Sequence, residues 1–90
     1  MKVDFTKAFN KQFEKLPRQR QEKAKEAIAS YLKDLTIPSL RLHALKGEWK
    51  GYLSISAGGD LRLHFKQIDE TTVLFVAIGS HSHLYIHLRK

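Results

Sequence analysis

The first half of the chain carries apolar residues at helical spacing, in two segments. The first segment forms one apolar face from Phe5, Ala8, Phe9, Phe13 and Leu16. Asp4 or Thr6 suits its N-cap, and Pro17 both ends this helix and suits the first turn of the next. The second apolar face runs until Ile37 and Pro38 end the pattern, and comprises Ala24, Ala27, Ile28, Tyr31, Leu32 and Leu35. The pattern predicts a helical hairpin with one apolar face.

The second half changes to the two-residue period of strands. Residues 52–57 and 61–66 alternate, with a hairpin turn at Ala57-Gly58-Gly59-Asp60 between them. Residues 69–71 make the next turn, and residues 73–78 are nearly all apolar, as expected of a central strand. The pattern predicts a small, mostly antiparallel sheet.

Polar side chains share one face of the strand at residues 61–66. Arg62, His64 and Lys66 alternate with apolar residues, so they project together from the face that does not enter the core. This pattern predicts an exposed cationic stripe on the sheet.

The elements combine into one α+β domain spanning residues 1–90. Two helices are expected on one face of a small twisted, mostly antiparallel sheet, with an additional edge strand possible at residues 1–5. The uncovered face of the sheet is then expected to carry the polar cluster.

Composition indicates a polyanionic partner. The chain of 90 residues has 16 Lys and Arg against 9 Asp and Glu, a formal net charge of +7 and no cysteine. Such a charge favours nucleic acid through counterion release, although a solvated basic surface without a specific partner is the alternative. No apolar run resembles a signal peptide or a membrane span, so we expect a cytoplasmic protein without a membrane partner.

All five histidines lie between residues 43 and 87. His81, His83 and His87 alternate as zinc ligands on a strand can, but zinc needs three or four convergent ligands, and exposed polar residues are the preferred interpretation for His83 and His87. We expect no metal and no cofactor. The favoured chemistry is metal-free cleavage of RNA, because His, Asp, Arg, Lys and Tyr can supply a base, an acid and cations for the phosphate.

Three motifs resemble a known family. The segments HALKGEWKGY at residues 43–52, DLRL at residues 60–63 and GSHSHLY at residues 79–85 are similar to the RelE superfamily of bacterial toxins, and most similar to its YafQ branch. The resemblance implies the RelE-like fold and a type II toxin of a toxin-antitoxin system. The implied activity is that of a ribosome-dependent mRNA endoribonuclease, or mRNA interferase, which acts in the ribosomal A site and inhibits translation.

The resemblance also implies roles for individual residues. His43, Asp60 and His81 match acid/base residues of YafQ-like toxins, Arg62 matches a phosphate-stabilising arginine, and Tyr85 matches a terminal aromatic that orients or stacks the substrate. Ser56 stands where these toxins have another histidine, and Leu61 where many have an aromatic residue. We hypothesise that His64 supplies the missing imidazole. Which group is the acid and which the base stays open, and Asp60 could orient an imidazole or take the proton itself.

Further residues are candidates for RNA contact: Lys46, Trp49, Lys50, His64 and Lys66. Trp49 can stack on a base or pack as a partly buried residue, and Lys46 and Lys50 can also be ordinary solvated lysines. The partners implied are a cognate antitoxin, mRNA on the ribosome and ribosomal RNA, with operator DNA bound only through the antitoxin. The alternatives are a gyrase-poisoning toxin of the ParE type, which shares the fold, and a noncatalytic RNA- or DNA-binding module.

Overall fold

The computed structural model describes residues 2–34, 38–80 and 84. Its helices and strands follow the order β1 (Lys2–Phe5), α1 (Lys7–Glu14), α2 (Arg18–Lys33), β2 (His43–Ala44), β3 (Leu53–Ser56), β4 (Leu61–Asp69) and β5 (Thr72–Ser80). Two short 3₁₀ turns, Pro38–Leu40 and Gly47–Trp49, lie on either side of β2.

The strands form one sheet in the order β1-β5-β4-β3-β2. Only the β1–β5 pair is parallel, and the other three pairs are antiparallel. The predicted edge strand therefore exists, and the sheet is mostly antiparallel, as expected. The strand at residues 73–78 is an interior strand, and β4 continues three residues beyond its predicted end.

Thr6 starts the first helix. Its side-chain oxygen accepts a hydrogen bond from the Phe9 backbone N–H at 3.0 Å and donates one to the Val76 carbonyl at 3.3 Å. The N-cap is therefore Thr6 and not Asp4, and it ties α1 to β5. Phe5 belongs to β1 rather than to the helix, because its backbone pairs with Phe75.

Pro17 separates the two helices. It is the N-cap of α2, and its carbonyl accepts hydrogen bonds from the N–H groups of Arg20 and Gln21. The helix ends at Lys33, before the predicted end at Ile37 and Pro38. Leu32 is 40% exposed, so the predicted apolar face ends in solvent rather than in the core. Leu35 and Ile37 lie outside the described residues.

Both helices contribute to one core on the same face of the sheet, as predicted. Its buried members include Phe9, Ala24, Ala27, Tyr31, Ile55, Leu61, Leu63, Phe65, Val73, Phe75 and Ile78. The rings of Phe65 and Phe75 lie with centroids 5.0 Å apart, and the Tyr31 ring meets Phe65 edge-on at 4.8 Å. Neither helix in the described part of the chain is long and apolar enough to span a membrane.

Candidate active site

Five polar residues project from the sheet face opposite the helices. His43 on β2 pairs with Ser54 on β3, which pairs with His64 on β4. Ser56 pairs with Arg62 two residues further along the same strands. Side chains directly opposite each other across a sheet share a face, and so do residues two apart on one strand. The five side chains therefore rise from one face.

His43 is exposed on the short edge strand β2. Its ring nitrogen Nδ1 lies 2.8 Å from the Arg41 carbonyl oxygen. A carbonyl oxygen only accepts hydrogen bonds, so Nδ1 must be the donor and carry a proton. The neutral ring then has its lone pair on Nε2, which is the form that can accept a proton from a substrate.

Arg62 is held at one end of its guanidinium. Its Nη1 donates to the Ser56 hydroxyl oxygen at 3.2 Å, to the Gly59 carbonyl at 2.9 Å and to the Leu61 carbonyl at 3.1 Å. Within the described part of the chain, Nε and Nη2 donate to no other residue. Arginine donors in this fork geometry suit two oxygens of a phosphate. Ser56 thus anchors the arginine.

Asp60 lies in the turn between β3 and β4 and points towards the helices. Its Oδ1 is 3.3 Å from Nη1 of Arg20 on α2. The two side chains are about half exposed, so this ion pair contributes little to stability. Since His43 donates to Arg41 instead, Asp60 does not orient that imidazole in the structure.

His64 does not belong to an exposed stripe, and that prediction is wrong. The residue is 0% exposed, whereas Lys66 on the same strand is exposed. Trp49 contributes to this burial, because its ring meets His64 edge-on with centroids 4.6 Å apart. The Gly47–Trp49 turn therefore packs against part of the sheet face that was expected to be uncovered. A buried imidazole cannot touch RNA in this conformation.

Trp49 is a packing residue here rather than an exposed stacking platform. It is half-buried, and its ring also meets Tyr52 edge-on at 5.3 Å. Its indole Nε1 and the Ser54 side-chain oxygen are buried without a hydrogen-bond partner in the described structure. Each buried unsatisfied polar group costs about 1–3 kcal/mol.

Three exposed lysines surround this face. Lys46 and Lys50 flank the Gly47–Trp49 turn, and the Lys66 ammonium lies 5.6 Å from the centroid of the Tyr52 ring. That distance is within reach of a cation–π contact between the Lys66 ammonium and the Tyr52 ring. The lysines leave a positively charged border around the polar face.

The remaining predicted site residues, His81 and Tyr85, lie outside the described residues, as do His83 and His87. Within the ranges 2–34, 38–80 and 84, no three His, Cys, Asp or Glu side chains gather as a metal site would require.

Two contacts of the site were not predicted from the sequence. Arg41 enters through its carbonyl, and Arg20 through its ion pair with Asp60. Arg41 has a backbone φ of +50°, a conformation that a sequence signals with Gly or Asn rather than Arg. Arg20 is 40 residues from Asp60 along the chain, so no local pattern could reveal the pair.

The sequence of the chain matches a known protein family. A family model described as the bacterial toxin of a type II toxin-antitoxin system, YafQ, matches residues 1–86. No curated protein sequence matches the chain.

Solved structures share the fold over nearly the whole chain. The crystal structure of YafQ from E. coli strain BL21(DE3) has a TM-score of 0.79 and 18% identity, covering 92% of this chain and 96% of that chain. A chain of the E. coli DinJ-YafQ complex has a TM-score of 0.70 and 26% identity, covering 92% and 96%. A chain of the RelB-RelE antitoxin-toxin complex from Methanococcus jannaschii has a TM-score of 0.73 and 21% identity, covering 94% and 98%. These similarities confirm the predicted fold.

Proposed function

The chain belongs to the YafQ family of bacterial toxins of type II toxin-antitoxin systems, and we propose that it acts as a ribosome-dependent mRNA endoribonuclease that inhibits translation. The observation that carries the proposal is that a proton acceptor and a set of phosphate-binding donors share one sheet face. There His43 has its Nε2 lone pair available, and Arg62 has donors that are not used by the described residues.

The proposed reaction begins with His43 as the base. Its Nε2 takes the proton of a ribose 2′-OH while that oxygen attacks the adjacent phosphorus. The 2′-O–P bond forms and the P–O5′ bond breaks, which yields a 2′,3′-cyclic phosphate and a 5′-hydroxyl end. Because Nδ1 already carries a proton, the ring becomes an imidazolium whose Nδ1–H stays on the Arg41 carbonyl.

Arg62 stabilises the negative charge that develops on the phosphate oxygens. From the spacing of a sheet, the Cα positions of His43 and Arg62 are about 12 Å apart, since they lie two strands and two residues from each other. A phosphate between them can be reached by an arginine side chain from one side and an imidazole from the other.

The leaving 5′ oxygen needs an acid. We assign this role to His81, and the orientation of the substrate to Tyr85, on the resemblance alone. Asp60 enters on the same ground, although its described partner is Arg20. Release of that exposed ion pair costs little, so Asp60 can turn towards a bound substrate.

The basic border supplies affinity rather than chemistry. Lys46, Lys50 and Lys66 contact the phosphates of mRNA and ribosomal RNA in this proposal, and each contact releases counterions. A charge-matched control exists on the helices, where Lys11 is also exposed. Lys66→Ala should weaken ribosome binding and reduce the salt slope by about 1, whereas Lys11→Ala should not.

The proposed partners follow from the family. A cognate antitoxin neutralises the toxin, and the complex binds operator DNA through the antitoxin. The proposed action on ribosomes implies a cytoplasmic location.

The test uses purified protein, ribosomes programmed with a defined message, and primer extension to map the cuts. The wild type should cut in the A site, and Arg62→Lys, which keeps the charge and loses the fork, should cut more slowly. Intact message despite tight ribosome binding would favour a noncatalytic module. Stalled gyrase with cut DNA would favour a toxin of the ParE type.

A further inference from the structure

The backbone conformation of Arg41 is one that the local sequence does not explain. Its φ is +50°, and among residues 2–34, 38–80 and 84 it is the only residue other than glycine with a positive φ. The left-handed region costs an L-residue with a Cβ roughly 1–2 kcal/mol. Such strain persists only where the surroundings hold it, and it clusters at functional sites.

The surroundings of Arg41 hold its backbone from both sides. On the N-terminal side, its N–H donates to the Pro38 carbonyl at 3.1 Å and closes the Pro38–Leu40 turn. On the C-terminal side, β2 begins two residues later, where His43 pairs with Ser54. The chain must therefore turn sharply at Arg41 to join the sheet edge.

The consequence of that turn is a hydrogen bond to the imidazole. The Arg41 carbonyl oxygen lies 2.8 Å from Nδ1 of His43, whose ring is exposed on an edge strand and otherwise has no hydrogen bond within the described residues. A side chain of this kind can rotate and exchange its proton between the two nitrogens. The carbonyl restricts both freedoms, since the hydrogen bond favours one ring orientation and requires the proton on Nδ1.

We propose that Arg41 is a positioning residue for His43, and that it acts through its strained backbone rather than through its guanidinium. In many acid/base sites a carboxylate selects the tautomer of a histidine and orients its ring. The Arg41 carbonyl has that role for His43. The importance of Arg41 for catalysis rests on the proposed function. Its effect on the tautomer of His43 does not depend on that function.

The test compares substitutions of Arg41 that have the same charge but differ in how readily they adopt a positive φ. Arg41→Asn and Arg41→Gly adopt a positive φ readily, whereas Arg41→Val resists it because valine is β-branched. All three remove the same cation, so the comparison among them isolates the backbone. Arg41→Ala, with an intermediate tolerance, serves if the valine variant does not fold.

The first readout is ¹⁵N NMR of the imidazole in the protein alone, above the pH at which the ring is charged. The Asn and Gly variants should keep the proton of His43 on Nδ1, and the Val or Ala variant should show a shift towards Nε2. Equal tautomer populations in all variants would overturn the proposal, whether or not the protein cuts RNA.

The second readout is single-turnover cleavage on programmed ribosomes at saturating enzyme. The Val variant should cut about 10²-fold more slowly than the Asn variant, since misplacing a reacting group by about 1 Å costs about that factor. In a His43→Ala background the same two substitutions should give equal residual rates. Equal rates with His43 intact would show that the positioning of His43 by Arg41 does not affect cleavage, and would overturn that part of the proposal. Absence of cutting by the wild type would instead refute the proposed function and leave the NMR comparison to decide the role of Arg41.

Discussion

Ser54 should be a position where removal of a polar group stabilises the protein. The residue is 1% exposed and lies between His43 and His64 across the sheet. Its hydroxyl has no hydrogen-bond partner in the described structure. Ser54→Ala deletes this oxygen and changes little else.

The expected gain follows from the cost of an unsatisfied group. A buried hydroxyl without a partner costs about 1–3 kcal/mol. Alanine has a lower strand preference and leaves a small void, and the whole strand scale spans only about 1 kcal/mol. The net expectation is a stabilisation of about 1 kcal/mol, which for a domain of this size raises Tm by roughly 4–8 °C.

Urea unfolding followed by far-UV circular dichroism measures this change. With a slope m of about 1–3 kcal/mol/M, the midpoint should rise by roughly 0.3–1 M while m stays constant. The matched control is Ser56→Ala, two residues along the same strand. The Ser56 oxygen accepts hydrogen bonds from Arg62 and the Gly58 N–H, so its loss should destabilise by about 1 kcal/mol. If both substitutions destabilise equally, the reasoning about Ser54 is refuted.

Three further predictions concern Trp49, Asp69 and Tyr31. Trp49→Phe should change stability in urea by less than about 1 kcal/mol, since it removes the unsatisfied N–H, whereas Trp49→Ala should cost about 2–3 kcal/mol for a half-buried ring; equal losses would contradict this. The Thr71 backbone N–H holds the pKa of Asp69 below its usual value, so its contribution to stability is present above about pH 4 and lost as pH falls through the folded pKa. Asp69→Asn should therefore differ from the wild type in urea midpoint at pH 7 and converge with it in acid, and a constant difference would count against this. Burial raises the pKa of Tyr31, so its contribution is present below about pH 10 and lost as pH rises through the folded pKa; Tyr31→Phe should lack this alkaline loss of stability.

Much of the fold could be predicted because its determinants are local. The alternation of apolar and polar residues from Leu61 predicts a strand without reference to distant segments. Pro17 likewise ends a helix through its own backbone geometry. β2 was missed because two residues, His43 and Ala44, are too short to show a period. Leu32 was assigned to the core because helical spacing identifies a face but not where its neighbours end.

The site was less predictable because it depends on contacts between distant segments. Alternation correctly put His64 on the face opposite the core, but it could not show that the Trp49 ring packs against His64 there. The pairing of Asp60 with Arg20 requires α2 to pack near the β3–β4 turn, and the donation from Arg62 to Ser56 requires the folded β3–β4 hairpin. The turn at Arg41 has no sequence signal, because its conformation is imposed by the junction between the Pro38–Leu40 turn and β2.

The central claim is that the sheet face carrying His43 and Arg62 cleaves mRNA by acid/base chemistry. The most direct measurement is the single-turnover rate of message cleavage on programmed ribosomes, for the wild type and for His43→Asn, with ribosome binding measured in parallel. Loss of a general base should slow cleavage by about 10²–10⁴ while binding is unchanged. Equal cleavage rates for the two proteins would contradict the claim.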